Sequence, residues 1–216
     1  MLEFKRRVFT SVLLLLVIYI SILNKFTLFL FLFFINFITI YEFNNIFLNI
    51  FRKNKLNRFF CFLLSLCYMI IFSLIIWIFL VGTDSSSLYI IIYLLSICAL
   101  TDIGGFIFGK IIGGKKFSKI SPNKTYSGVL GSFLFPFLVI LIPTNYSEKF
   151  IIFEINQIYL ILLLSLISQL GDLTISFFKR KAKLKDTGTI LPGHGGILDR
   201  IDGILLALPI GIIIIG

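Results

Sequence analysis

The sequence is short of charge. Of its 216 residues only 14% are Asp, Glu, Lys or Arg, against 58% hydrophobic, whereas a soluble domain carries about a quarter charged. That shortage excludes an ordinary water-soluble fold, and no polar stretch is long enough to build a separate soluble domain. Histidine occurs once, at His194, so no histidine-rich metal site can form. The three cysteines, Cys61, Cys67 and Cys98, lie in apolar stretches without metal-ligand spacing. They read as small apolar packing residues, not as disulfides or a redox centre. No Walker-type phosphate loop and no inverted repeat is visible.

What the chain has instead is long apolar runs. Several exceed the roughly 18 residues needed to cross a hydrocarbon core about 30 Å thick. They predict an all-α polytopic membrane protein of about seven transmembrane helices, at 8–24, 26–42, 59–81, 88–109, 127–143, 155–178 and 201–216. The first follows Lys5-Arg6-Arg7. No small-residue cleavage site comes after it, so it reads as a retained helix rather than a signal peptide. The last is short, about 24 Å at 1.5 Å per residue, and must thin the bilayer or start within it.

The net charge of +10 would suit a nucleic-acid binder, but its distribution points elsewhere. With the N-terminus in the cytoplasm and the spans alternating, eighteen of the twenty Lys and Arg fall inside, leaving only Lys25 and Lys149 outside. This is the positive-inside pattern: the excess sets topology and faces lipid, and no nucleic-acid partner is expected. Between the second and third spans Phe43, Ile46, Phe47, Ile50 and Phe51 recur at helical spacing, opposite Asn44, Asn45 and Asn49. Either a helix lies there along the cytoplasmic interface or the second span simply runs on.

Against this background the few acids stand out. Asp84, Glu148 and Glu154 fall at the outer surface, while Glu42, Asp102, Asp172, Asp199 and Asp202 reach one depth on the cytoplasmic side. A carboxylate in a membrane helix costs about 2.5–3.5 kcal/mol even on the lenient insertion scale, and five at one level describe a site at the cytoplasmic membrane face. The densest polar stretch is Gly171–Gly203, with Asp172, Asp186, Asp199, Asp202, six of the Lys and Arg residues and His194.

In that stretch Asp172, Ser176, Lys179 and Lys183 are spaced to line one helix face. A carboxylate, a hydroxyl and ammonium groups in a row suit an Mg²⁺–phosphate complex. Gly193, Gly195 and Gly196 around His194 allow an N–H nest for phosphates, while a lone histidine is as readily structural. Asp199 and Asp202, beside Arg200, can ligate metal or pair with arginine. A second patch runs from Asp102, Gly104 and Gly105 to Ser121, Lys124 and Thr125, closed by Gly128 and Gly131. Its glycines read equally as packing residues, and its loop offers hydroxyls and a lysine.

Taken together, Ser176 to Arg180, Lys185-Asp186, Gly188, Leu191-Pro192, His194 to Ile197 and Asp199 to Asp202 closely resemble the signature of the phosphatidate cytidylyltransferase (CDP-diacylglycerol synthase) family. Gly171 to Leu173, Asp102 with Gly104, Phe108 to Lys110, and Ser121-Pro122 with Lys124-Thr125 and Gly128 are similar to it as well. The resemblance is close over about 98–209; Ile103 and Ser127 depart from the usual residues. It implies two regions, 1–97 as an N-terminal membrane-helix region shorter than is usual in the family, and 98–216 as the catalytic membrane domain with cytoplasmic loops 110–126 and 179–200.

The reaction implied is cytidylyl transfer from CTP to phosphatidic acid, giving CDP-diacylglycerol and pyrophosphate, in phospholipid biosynthesis at the bacterial cytoplasmic (inner) membrane. The expected cofactor is Mg²⁺, with room for a second cation, on Asp172, Asp199, Asp202 and Asp102. Asp172, Asp199 and Lys179 are the expected catalytic residues. Ser176, Arg180, Lys185, Asp186, His194, Arg200, Lys124 and Ser121 would bind substrate. CTP, phosphatidic acid and membrane lipids are the expected partners, and a homodimer the expected assembly. The alternatives are a CTP-dependent polyprenol or dolichol-type lipid kinase, which would release CDP, and an ion-coupled transporter. Against the transporter, the acids sit at one end of the helices rather than across the bilayer.

Overall fold

The computed structural model describes residues 10, 13, 16–21, 24–82, 86–116, 121, 124–141, 154–191 and 195–215. Every regular element among them is helical, and the β pairing there is limited to two isolated bridges, Lys116 with Thr125 and Leu191 with Gly195. The helices are α1 (Lys25–Ile50), α2 (Lys55–Gly82), α3 (Ser86–Ile111), α4 (Tyr126–Leu134), α5 (Glu154–Lys181) and α6 (Leu198–Ile215), with helical residues also at 10, 13 and 16–21. Four of them are long and apolar enough to cross a membrane, over Lys25–Ile50, Lys55–Gly82, Ser87–Ile111 and Gln157–Lys181. Large apolar side chains such as Phe26, Leu64, Ile78 and Ile213 lie exposed, as a surface solvated by lipid requires.

The chain packs as two units, one of residues 1–81 with 178–201 and the other of 82–177 with 202–216. In the first, Asn24 opens α1 by accepting the Thr27 N–H on its side-chain oxygen at 2.8 Å, satisfying one of the donors a helix start leaves free. The α2 face Met69, Phe72, Ile76 and Phe79 is buried at helical spacing. Asn36 of α1 donates to the Ser73 hydroxyl of α2 at 2.6 Å. Phe29 meets Trp77 edge to face, 5.9 Å between ring centres.

The helix α1 settles one choice the sequence left open. It runs unbroken to Ile50 with Phe43, Ile46 and Phe47 buried, and Phe47 lies against Phe178. The apolar spacing over 43–51 therefore serves packing, and no separate interfacial helix is present.

In the second unit Ile97, Leu94, Thr101, Ile161, Leu164 and Ser165 are fully or almost fully buried, and Thr101 donates to the Ile97 carbonyl with its hydroxyl oxygen 3.2 Å from that of Ser165. Here α3 crosses α4 at glycines. A Cβ on Gly104 would fall on the Gly131 carbonyl, and one on Gly131 would fall on the Gly104 carbonyl and the Phe108 ring. The packing reading thus holds for Gly104, Gly105 and Gly109, but not for Gly113 and Gly114, where an added Cβ would meet nothing within 4 Å and positive φ is the reason for glycine. The span expected over 127–143 is α-helical only to Leu134 and continues as a 3-10 helix, Phe135–Leu141. Pro136 explains the change, since it lacks an N–H and its ring crowds the carbonyl four residues back. Of the cysteines, Cys98 is buried and Cys61 partly so, but Cys67 is exposed, so the packing role applies to the first two.

Candidate active site

In the second unit the polar side chains gather at the C-terminal part of α5. Asp172 lies seven residues past Ser165 on that helix, and its Oδ1 accepts the Ser176 hydroxyl at 3.2 Å. Its Oδ2 pairs with the Lys124 ammonium, both side chains about a quarter exposed. Lys124 is delivered by the turn before α4, where its own N–H bonds the Ser121 carbonyl at 3.1 Å. Thr125 caps α4 by accepting the Gly128 N–H at 3.1 Å. The preceding turn bends through Gly113 and Gly114, at φ of 65° and 111°, and Ser127 donates to the Gly113 carbonyl. Asp102, exposed on α3, and Asp202, whose Oδ1 accepts the Gly203 N–H at 2.8 Å, belong to the same unit. Lys124, expected at phosphate, and Asp172, expected at metal, are thus brought together from positions 48 residues apart, a pairing the sequence did not indicate.

In the first unit the centre is Asp199. Its Oδ1 accepts from Lys179 at 2.7 Å, and its Oδ2 accepts the N–H of Thr187 at 2.8 Å and of Gly196 at 3.2 Å. The Lys179 and Asp199 side chains are 12% and 7% exposed, so the pair is largely withdrawn from water. Burial alone would raise the Asp199 carboxyl. The Lys179 ammonium and the N–H donors of Thr187 and Gly196 outweigh burial and hold it below its ordinary 3.8. Around this pair Arg180, Lys185, Asp186 and Arg200 are exposed, with an Arg180 N–H reaching the Leu184 carbonyl at 3.4 Å. His194 lies outside the described residues. The loop that carries it is pinched at its base, where the Leu191 N–H bonds the Gly195 carbonyl at 2.9 Å and Gly195 takes φ 81°.

The predicted row of Asp172, Ser176, Lys179 and Lys183 does not extend to its last member. The helix α5 ends at Lys181, and Lys183 turns off it at φ 59°. The Leu184 N–H closes back on the Lys179 carbonyl at 2.9 Å, which is the helix-ending turn that glycine usually makes.

Two residues given no catalytic, substrate or metal role from the sequence are central to this unit: Glu42, counted there only among the carboxylates at one depth, and Thr187. Glu42, in α1, is fully buried. Its Oε1 accepts the Ile197 N–H at 3.0 Å, and its Oε2 accepts the Leu198 N–H and the Thr187 hydroxyl, both at 2.8 Å. A Cβ on Gly188 or Gly196 would run into that carboxylate, so both glycines are required for the loop to close over it. The available signal was that Glu42 is the single acid in the 26-residue α1. Nothing near it in sequence marks Thr187 as its partner.

Among the described residues no three His, Cys, Asp or Glu side chains come together, so no protein-only cage is built. Magnesium, however, usually keeps waters and substrate phosphate oxygens and takes only one or two carboxylates. Asp172, partly open to solvent with a hydroxyl beside it, fits a cation that arrives with a polyphosphate.

The comparison with known sequence families bears on the whole chain, since the profile of the cytidylyltransferase family matches residues 3–216. The chain belongs to that family. Among curated relatives, a protein named phosphatidate cytidylyltransferase of Rickettsia bellii (strain RML369-C) is 48% identical over 117 residues, covering 50% of this chain and 50% of the relative. That of Staphylococcus aureus (strain COL) is 46% identical over 132 residues, 59% of this chain and 49% of the relative. That of Staphylococcus haemolyticus (strain JCSC1435) is 42% identical over 134 residues, 60% and 50% respectively. The matched region thus spans about half the length of these family members.

Proposed function

We propose that this family member transfers the cytidylyl group of CTP to phosphatidic acid, giving CDP-diacylglycerol and pyrophosphate at the bacterial cytoplasmic membrane. The observation that carries the reading is the Lys124–Asp172 pair beside Ser176, within a chain whose relatives are named phosphatidate cytidylyltransferases. An accessible ammonium–carboxylate pair is a resting arrangement for a triphosphate and its cation: the lysine can turn to phosphate oxygens and the carboxylate to the cation.

In this reaction a phosphatidate oxygen forms a bond to the α-phosphorus of CTP as the bond from that phosphorus to the β-phosphate's bridging oxygen breaks. The pyrophosphate leaves with that oxygen. No protein nucleophile is needed, and the protein's part is positioning and charge neutralisation. Bound Mg²⁺ supplies charge neutralisation at the phosphates. Asp172 would hold it, with Asp102 and Asp202 of the same unit as further candidate ligands. Asp199 keeps a lone pair of Oδ1 for a cation beside its Lys179 bond. Lys124, Arg180, Lys185 and Arg200 are the cations we assign to phosphate oxygens. Ser121, Asp186 and His194 complete the proposed substrate contacts.

We further propose seven spans with the N-terminus and the loops 110–126 and 179–200 in the cytoplasm, supported by the skew of Lys and Arg. The short apolar helix over Tyr126–Leu141 and α6, which carries Asp199, Arg200 and Asp202 near its start, would supply two of them. The phosphate of a membrane lipid then lies at the depth of the carboxylates, and CTP reaches them from water.

The deciding experiment follows CTP labelled at the α- or γ-phosphate with phosphatidic acid in micelles. The α-label should enter a lipid-soluble cytidine product, and the γ-label should leave as pyrophosphate. Transfer of the γ-label to lipid with release of CDP would replace this reading with a lipid kinase.

A further inference from the structure

Glu42 is a buried carboxylate that the proposed chemistry does not use. It is fully buried in α1, and it accepts from two backbone N–H groups and a hydroxyl. Ile197 and Leu198 stand at the start of α6, where the first N–H groups of a helix lack internal acceptors and the helix dipole favours negative charge. Glu42 therefore caps a helix far from it in sequence.

The third donor links Glu42 to the site. The Thr187 hydroxyl lies 2.8 Å from Glu42 Oε2 and 3.1 Å from Asp199 Oδ2. A hydroxyl has one proton, so it donates to one carboxylate at a time, and Glu42 is the nearer. Meanwhile the Thr187 N–H is given to Asp199 at 2.8 Å. Thr187 thus holds both carboxylates at once, one through its side chain and one through its backbone. Gly196 does the same by shape: its N–H bonds Asp199 at 3.2 Å, while its missing Cβ leaves room for Glu42.

We infer that Glu42 is a positioning residue for Asp199: from α1 it fixes Thr187 and the start of α6, so that the 187–199 loop presents Asp199 to Lys179 in one geometry. It touches no substrate. Removing its charge weakens the acceptor shared by the two N–H groups and frees the Thr187 hydroxyl to turn to Asp199. Neutral Gln keeps one carbonyl oxygen for the three donors and aims an NH₂ at the rest.

The test combines amide hydrogen exchange with steady-state kinetics on purified full-length Glu42→Gln, Thr187→Val and Thr187→Ser in lipid nanodiscs. In Glu42→Gln, exchange at the Ile197 and Leu198 amides should quicken about tenfold or more, the scale set by losing a charge-assisted hydrogen bond. The kcat per folded molecule should fall by a similar factor, with KM for phosphatidic acid held within about twofold. Thr187→Val should lose kcat and Thr187→Ser should regain it. If Glu42→Gln does not fold, the two Thr187 variants decide alone.

Unchanged exchange at 197 and 198, or an equal loss of kcat in Thr187→Ser and Thr187→Val, overturns the inference. So does a lowered Tm with wild-type kcat, which is what a merely structural carboxylate would give. The kinetic arm rests on the proposed reaction. Should the wild-type protein show no cytidylyl transfer, that reading fails while the exchange arm still decides the role of Glu42.

Discussion

Asp172 and Asp199 both face a lysine, yet they differ in access to water, and their substitutions should differ accordingly. Asp172 shares its ammonium at a partly open position, so Asp172→Asn should insert and fold normally while cytidylyl transfer falls at least about a hundredfold, a typical loss for an electrostatic stabiliser. Turnover of purified Asp172→Asn close to wild type would remove it from the cation site. Asp199 is withdrawn, and Asp199→Asn leaves the Lys179 ammonium without its partner. Breaking such a pair from one side costs about 3–5 kcal/mol, so this variant should lose both transfer and thermal stability. Acid should act through the same residue. The folded Asp199 carboxyl sits below its ordinary 3.8, so its stabilisation is complete above that value and is lost as pH falls through the lower folded one. The protection of the Thr187 and Gly196 amides, relative to the intrinsic exchange rate at each pH, should stay flat from neutral pH down to 3.8 and fall only below it. Loosening that sets in well above 3.8 would contradict the pairing. The two aspartates were legible in the sequence because acids are rare in it. Glu42 was legible as one of the carboxylates at the same depth, but its role was not, since its three donors come 145 to 156 residues later.

Among the elements, the α3–α4 crossing makes the sharpest demand on residue size. At Gly104 a methyl group would overlap the Gly131 carbonyl and the Phe135 Cβ, backbone and near-backbone atoms that cannot move aside. Gly104→Ala should therefore cost about 1–3 kcal/mol, the range for overpacking, read as a lower Tm in detergent. Gly82, at the end of α2, has nothing within 4 Å of such a methyl, and Gly82→Ala should stay within about 0.5 kcal/mol of wild type. Equal losses in the two would show that the glycines do not set the crossing. Helix existence and approximate limits followed from apolar run length, as with the expected 59–81 and the observed Lys55–Gly82. Apolarity could not distinguish an α-helix from the 3-10 stretch beginning at Phe135, and helical spacing could not tell that α5 ends before Lys183. Both outcomes depend on local backbone geometry, set by Pro136 in one case and by the turn at Lys183 in the other.

For the molecule as a whole, the charge pattern makes a claim about sidedness that labelling in intact cells can check. In a background lacking Cys61, Cys67 and Cys98, a cysteine replacing the exposed Ile190 should react with an impermeant maleimide only after the membrane is opened. Labelling of intact cells at that position would reverse the proposed topology and put the carboxylates on the wrong side for cytosolic CTP. The Glu42 contacts also carry a consequence for how the chain is made. Its helix leaves the ribosome well before Thr187, Ile197 and Leu198 exist, so for most of synthesis an acid sits at that point of an apolar helix without the donors that later satisfy it. It must wait at the water's edge. Its final burial can come only after the last helix has begun to form. A chain released before Thr187 would lack all three donors that satisfy Glu42 in the folded protein, and its carboxylate would have to keep its contact with water.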